Sequence, residues 1–367
     1  MTRRLPFIDA VKGIACLVIV VHHLAVYGPM SEVIGAVYPQ LIDTLVVYGR
    51  LAVQVFFVVA GYFVASQFAP NGVTTSINPG PLVWKRYKRL ITPFLFAVTL
   101  AALITALVRP WFQHDSLSGA PTVGQLIAHL FLAYDLIGLE ALSAGVWYVA
   151  VDFQLFAIVT VLIALIHLLP ERWHRLLPVL VTALTAWSLW HISRYEAYEI
   201  AAPYFFGYYG LGMLAYWAAH APAKAWFVAL LTLIALLGLI ALGIEFRKSV
   251  ASATLSALIL SIASARGWLE QWPRSASLHW LGERSYSIFL IHYGLCIGVN
   301  AIWSVLFPTG LLINGLGILF AVAVSIAGGA VLYREVESRP GVLGINFTTA
   351  LLITGVIATL AIEAFTR

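Results

Sequence analysis

Ile8-Asp-Ala-Val-Lys12-Gly-Ile-Ala-Cys16-Leu-Val-Ile-Val-Val-His22-His23-Leu-Ala-Val-Tyr27 is twenty residues long, and all but Asp9, Lys12, His22 and His23 are apolar or glycine. Wound as an α-helix, such a run covers about 30 Å, the thickness of the hydrocarbon core of a bilayer. It has no small-residue cleavage site and is longer than the apolar part of a secretory signal, so it is expected to stay in the mature chain. The pattern repeats outward from here, with further apolar runs at 44–68, 90–108, 146–169, 176–191, 201–219, 225–244, 250–265, 285–307, 311–333 and 343–365. None alternates with the period of two that a membrane barrel strand requires. Of 367 residues, 61% are hydrophobic and only 10% are charged, with a mean hydropathy of +0.92. A soluble chain carries about 25% charge, so most of this surface is expected to face lipid. The fold expected is an all-α polytopic transmembrane bundle of about ten core helices with a C-terminal eleventh. It is read as one membrane domain over 1–367, with a core of about 5–340.

The net charge of +5 is explained by topology, and no nucleic-acid partner is expected. With the N-terminus inside, the inner segments hold fourteen Lys and Arg residues, among them Arg3, Arg4, Lys85, Arg86, Lys88, Arg89, Arg172 and Arg175. The outer segments hold five, Arg109, Arg194, Arg247, Lys248 and Arg367. This asymmetry follows the positive-inside rule. Reading 123–142 as a further span would reverse the later loops, so it is expected to lie at the outer surface without crossing. The two cysteines, Cys16 and Cys296, lie in apolar runs and read as buried small residues. Gly207-Tyr-Tyr-Gly-Leu-Gly212 follows no strand and is no nucleotide loop. Gly294 and Gly298 are spaced for close helix packing. The histidines lack metal-site spacing, so no metal is expected.

Ionisable side chains within apolar spans are costly and usually face the bundle interior, which makes them the candidates for chemistry. Lys12 and His23 are eleven residues apart, so they share a helical face within about 20° and stand about 16 Å apart along the axis. Counting depth along each span puts His23, Arg50 and Asp152 at one level. Lys12, His292 and the cluster Lys85, Arg86, Lys88 and Arg89 fall at the opposite one. Taken singly, Lys12 also fits a snorkelling lysine and Asp152 with Arg50 a buried structural pair.

Several motifs in series add to this reading. Arg4-Leu-Pro-Phe-Ile-Asp-Ala-Val-Lys12 with His23, Gly49 to Gly61-Tyr62, Arg86-Tyr-Lys-Arg89 with Pro93, Trp147 to Asp152-Phe-Gln154-Leu-Phe156, Leu281-Gly to Ser285-Tyr286 and His292, and Glu337-Ser-Arg-Pro340 together resemble acyltransferase family 3. That family comprises membrane enzymes that O-acylate surface glycans and other acceptors. Ala60 stands where the family has serine, and Asp152 where glutamate is usual. The resemblance implies an acyl-CoA donor, acetyl-CoA first, taken from the cytoplasmic side of a bacterial inner membrane, and an acceptor hydroxyl on a cell-surface or exported glycan. It implies a reactive histidine at His23; by depth and chemistry, Asp152 is expected to be catalytic beside it, Lys12, Arg86, Arg89, Ser285, Tyr286 and His292 to contact the donor, and Arg50 to lie in the outer layer. His23 can deprotonate the acceptor hydroxyl or carry the acyl group itself. Asp152 can orient His23, or pair with Arg50. The alternative function is a transporter or carrier of a lipid-linked sugar. Oligomeric state has no signature in the sequence.

Overall fold

The computed structural model describes residues 5–339 and 345–366. The helices in chain order are α1 (Pro6–Val26), α2 (Pro29–Gly35), α3 (Pro39–Gly49), α4 (Ala52–Phe68), α5 (Pro79–Val108), α6 (Val123–Leu130), α7 (Trp147–His167), α8 (Leu177–Trp190), α9 (Ala202–Ala219), α10 (Lys224–Ile244), α11 (Lys248–Ala265), α12 (Trp268–Gln271), α13 (Ala276–Leu306), α14 (Leu311–Leu332) and α15 (Ile345–Thr366). A π-helical turn, Tyr333–Glu337, continues α14. No strand occurs among the described residues. The chain is an integral membrane protein of the all-α class, and nine of its described helices are long and apolar enough to cross a bilayer.

All eleven expected spans are helical where they are described. α9 falls outside the nine because Tyr, Gly and Trp dilute its hydropathy, and α15 because its apolar stretch is Thr349–Ile362. The segment 123–142 does not span: its helix, α6, has eight residues and ends in an irregular turn. Two spans begin earlier than their apolar runs suggest. α5 starts at Pro79 and carries Lys85 to Arg89 within the helix, and α13 starts at Ala276, nine residues before the apolar run. Arg3, Arg4, Pro340 and Arg367 lie outside the described residues.

The chain gathers into two compact units interleaved along the sequence. One comprises 1–12, 51–86 and 150–279, and the other 13–50, 87–149 and 280–367. In the first unit α9 is the central helix, packed by α4, α8, α10 and α11 and buried on nearly every side. A helix apolar all round belongs in such a place. α4 and α9 meet backbone to backbone: a side chain on Gly61 would collide with the carbonyl of Tyr209, and one on Gly212 with the carbonyl of Val58.

In the second unit α1 and α13 run in parallel at nearly constant register. The Cys16 thiol donates to the Ser285 carbonyl at 3.2 Å, and Asn300 Nδ2 donates to the Tyr27 carbonyl at 3.4 Å, bracketing the middle of both helices. Gly294 lets α13 lie against α5, where an added Cβ would come within 2.9 Å of Ala101 Cα. Both cysteines are buried and unbridged.

Candidate active site

Between those two ties, His23 on α1 meets His292 on α13, with Nδ1 of His23 2.6 Å from Nε2 of His292. The ring planes are 4° apart and the centroids 4.9 Å apart. Ring nitrogens this close preclude stacked faces, so the rings lie edge to edge, nearly in one plane, as an in-line N–H···N bond requires. Nδ1 of His292 is 2.6 Å from the carbonyl oxygen of Phe289.

The carbonyl fixes the protons. It can only accept, so Nδ1 of His292 carries hydrogen and, in the neutral ring, Nε2 of His292 bears a lone pair. Nδ1 of His23 therefore donates to that lone pair. Neutral His23 is left with an unprotonated Nε2, the atom with which an imidazole accepts a proton or attacks a carbonyl. The chain His23→His292→Phe289 carbonyl thus sets a tautomer two residues away from the group that uses it.

His292 is fully buried, whereas His23 is half-buried. Around them stand Tyr27, its ring 5.7 Å from His23, and Phe289, 6.0 Å from His292. Gly145, at φ 82°, brings the backbone against the ring: a Cβ there would stand 3.1 Å from Cε1 of His23. Any side chain at 145 would be strained in its backbone and would press on the imidazole. His22 points elsewhere and donates from Nδ1 to the carbonyl of Leu45 at 3.3 Å.

The expected two-level sorting is corrected here. His292 stands in register with His23, because α13 begins at Ala276 and His292 lies at its middle rather than near an end. The partner on Nδ1 of His23 is this imidazole, in the place the sequence suggested for Asp152. Asp152, in the first unit, is buried and ion-paired to Arg86, whose guanidinium also lies 4.6 Å from the Phe156 ring centroid. Arg86 comes within reach because α5 is already helical at that point. The other carboxylate oxygen of Asp152 and the phenol oxygen of Tyr209 are buried without hydrogen-bond partners.

A family profile for an acyltransferase domain matches residues 5–334 of the chain. The chain belongs to acyltransferase family 3. No curated protein and no solved structure matches it. Within this acyltransferase the remaining motif residues divide between units and roles. Lys12, in the first unit, lies 3.9 Å from Asp9, whose other oxygen is 2.9 Å from His279. In the second unit Ser285 donates to the Gly282 carbonyl at 2.9 Å, a bond within its own helix, and Tyr286 donates to the Leu90 carbonyl at 2.9 Å, tying α13 to α5. Glu337, on the π-turn, accepts from Ser287 at 2.6 Å. Arg89 is exposed on α5, and Arg50 is exposed at the C-cap of α3, where the 44–68 run breaks into two helices. Gly145 was not among the expected site residues. Its only trace in the sequence is a glycine two residues before Trp147.

Proposed function

We propose that this membrane acyltransferase moves an acyl group, acetyl in the first instance, from acyl-CoA to a hydroxyl of a cell-surface or exported glycan, with His23 as general base. The observation that carries this reading is the unprotonated Nε2 that the His292 and Phe289 bonds leave on His23. The acceptor hydroxyl gives its proton to Nε2 as its oxygen attacks the thioester carbonyl. The tetrahedral intermediate then collapses, the carbon–sulfur bond breaks, and the thiolate takes the proton back from Nε2. While Nε2 is protonated, the imidazolium is stabilised through Nδ1–H to His292, the task a carboxylate performs in a hydrolase triad.

In this reading His292 acts through His23 rather than on the donor. Arg86 holds Asp152, and the pair is a positioning element of the first unit. Donor phosphates are assigned to exposed Arg89, which offers a bidentate guanidinium. Ser285 and Tyr286 shape the wall through the helix ties they make. The inner membrane and a cytoplasmic N-terminus are supported by the charge asymmetry of the loops. Nothing observed favours a transporter.

The test is transfer of labelled acetyl from acetyl-CoA to exported glycan by the purified protein in lipid nanodiscs. Wild type is expected to transfer label and His23→Ala to transfer none while keeping its thermal unfolding profile. Full transfer by folded His23→Ala removes His23 from the mechanism.

A further inference from the structure

The segment 122–145 is folded onto itself by side chains outside the spans. Thr122 and Gln125 form a reciprocal capping box at the start of α6, and Gln125 Nε2 reaches across to the Glu140 carbonyl at 3.1 Å. His129, one turn on, is fully buried. Its Nδ1 donates to the Gln125 carbonyl at 2.7 Å, and its Nε2 accepts from the backbone N–H of Leu142 at 3.1 Å. Both nitrogens are therefore satisfied in one neutral tautomer, and burial lowers the pKa of the ring to about 4, which keeps it neutral near pH 7. Tyr134 covers it face to face, with centroids 4.1 Å apart and planes 9° apart. Just after α6 the buried Leu132 adopts φ 55°, a left-handed conformation that a branched side chain keeps only where the surroundings enforce it. Three residues beyond the Leu142 bond, Gly145 lies against Cε1 of His23.

We propose that His129 is a positioning residue for the acyl transfer: by holding Leu142 it seats Gly145 against the edge of His23, so that the imidazole keeps the plane in which Nδ1–H meets His292 and Nε2 faces the substrate. This deepens the reading of His23 as the base. His129 touches neither reactant. The in-plane bond at 2.6 Å tolerates little rotation of His23, because a hydrogen bond weakens steeply as its angle closes. The ring is bounded on one edge by His292 and at Cε1 by Gly145. Loss of the Leu142 bond frees the second boundary alone.

The experiment compares His129→Phe, which fills the volume but cannot accept from Leu142, with His129→Gln, which restores an acceptor. In His129→Phe, kcat is expected to fall by about tenfold or more, on the scale of a small displacement of a catalytic group, with donor KM within twofold of wild type. His129→Gln is expected to recover most of it. Nitrogen NMR of the histidine-labelled protein supplies a readout independent of turnover: the His23 Nδ1–H form is expected to be fixed in wild type and mixed in His129→Phe. Wild-type kcat, or an unchanged His23 tautomer, in folded His129→Phe overturns the proposal. If His129→Phe does not fold, Gly145→Ala tests the same contact from its other side. It is expected to lower kcat at constant donor KM, and an undiminished kcat there overturns the proposal. Should His23→Ala keep its transfer activity, the acid–base reading fails, while the NMR comparison still decides whether His129 seats His23.

Discussion

Replacing His292 by Phe separates the two roles open to it, because a donor-binding residue and a proton-relay residue change different kinetic constants. Phe fills the same buried space but offers nothing to Nδ1–H of His23, which now makes a 2.6 Å bond to Nε2 of His292. In the ground state both rings are neutral, and such a bond contributes about 1 kcal/mol. In the transition state His23 carries positive charge, and a hydrogen bond from a charged donor is worth ~1.5–3 kcal/mol. The loss falls mainly on the transition state, and kcat reads the difference between the two states, ~0.5–2 kcal/mol, which corresponds to a drop of about 2- to 30-fold.

Donor KM is expected to stay within about twofold, since uniform binding is untouched. His292→Gln, whose amide oxygen can accept from Nδ1, is expected to lie between Phe and wild type. The assay is release of CoA thiol from acetyl-CoA in the presence of acceptor, with initial rates taken over a range of donor concentrations on protein shown to unfold cooperatively. A folded His292→Phe enzyme with wild-type kcat refutes the relay. A raised donor KM at constant kcat returns His292 to the donor-binding role expected from the sequence.

Three further outcomes follow from the two units. Arg86→Ala leaves Asp152 buried without its counterion and is expected to cost ~3 kcal/mol of stability, whereas Arg86→Met with Asp152→Leu recovers most of it; thermal unfolding in detergent decides, and equal stability of Arg86→Ala and Arg89→Ala speaks against a structural role for the pair. Gly61→Ala places a methyl group against the Tyr209 carbonyl and is expected to cost at least ~1–3 kcal/mol by overpacking, seen as a lower unfolding midpoint. In the 122–145 segment, pH acts through two opposed groups. Burial lowers His129 to about 4, so the unfolded segment takes up its proton first and stability is lost as pH falls from 6.5 to 4, by on the order of 3 kcal/mol. Burial raises Asp135 to about 6, so the folded segment takes up its proton first and stability is gained between pH 6 and 3.8. The hydrogen-exchange protection of this segment, taken relative to the intrinsic rate at each pH, is expected to change little with pH in wild type, to fall on acidification in Asp135→Asn, and to rise in His129→Gln; identical pH profiles of protection in the three proteins exclude the assignment.

The parts of this molecule that were legible in the sequence are those that depend on length and hydropathy alone. Every apolar run became helix where it is described, broken only at Arg50 and Leu51 within 44–68, because in lipid a backbone can satisfy its own hydrogen bonds only in that form or in a closed barrel. The short α6 was also legible, because Tyr134, Asp135, Gly138 and Glu140 interrupt its apolar pattern and the loop charges oppose a crossing there. Depth was not. An apolar run marks where a helix meets hydrocarbon, but α5 and α13 begin well before theirs, at Pro79 and Ala276. The helices begin about three turns before Leu90 and two and a half before Ser285, so reckoning depth from those residues misplaced Arg86 and His292. That one error split two pairs that the structure joins, Arg86 with Asp152 and His23 with His292.

The pairing of His23 with His292 has a general consequence for reading such chains. Parallel helices in register keep a numerical offset that varies by no more than about a turn: Cys16 to Ser285 and His23 to His292 both differ by 269, and Tyr27 to Asn300 by 273. One contact fixes the others along the face, so a single cross-link locates a histidine partner that depth counting misplaces. Gly145 and His129 obey no such offset. They reach the site through a loop whose course is set by side-chain bonds to backbone groups, Gln125 to the Glu140 carbonyl and Leu142 to His129. Those bonds leave no periodic mark. A base that must hold its ring within a few degrees thus owes one wall to helix register, which sequence spacing can express, and the other to loop chemistry, which it cannot.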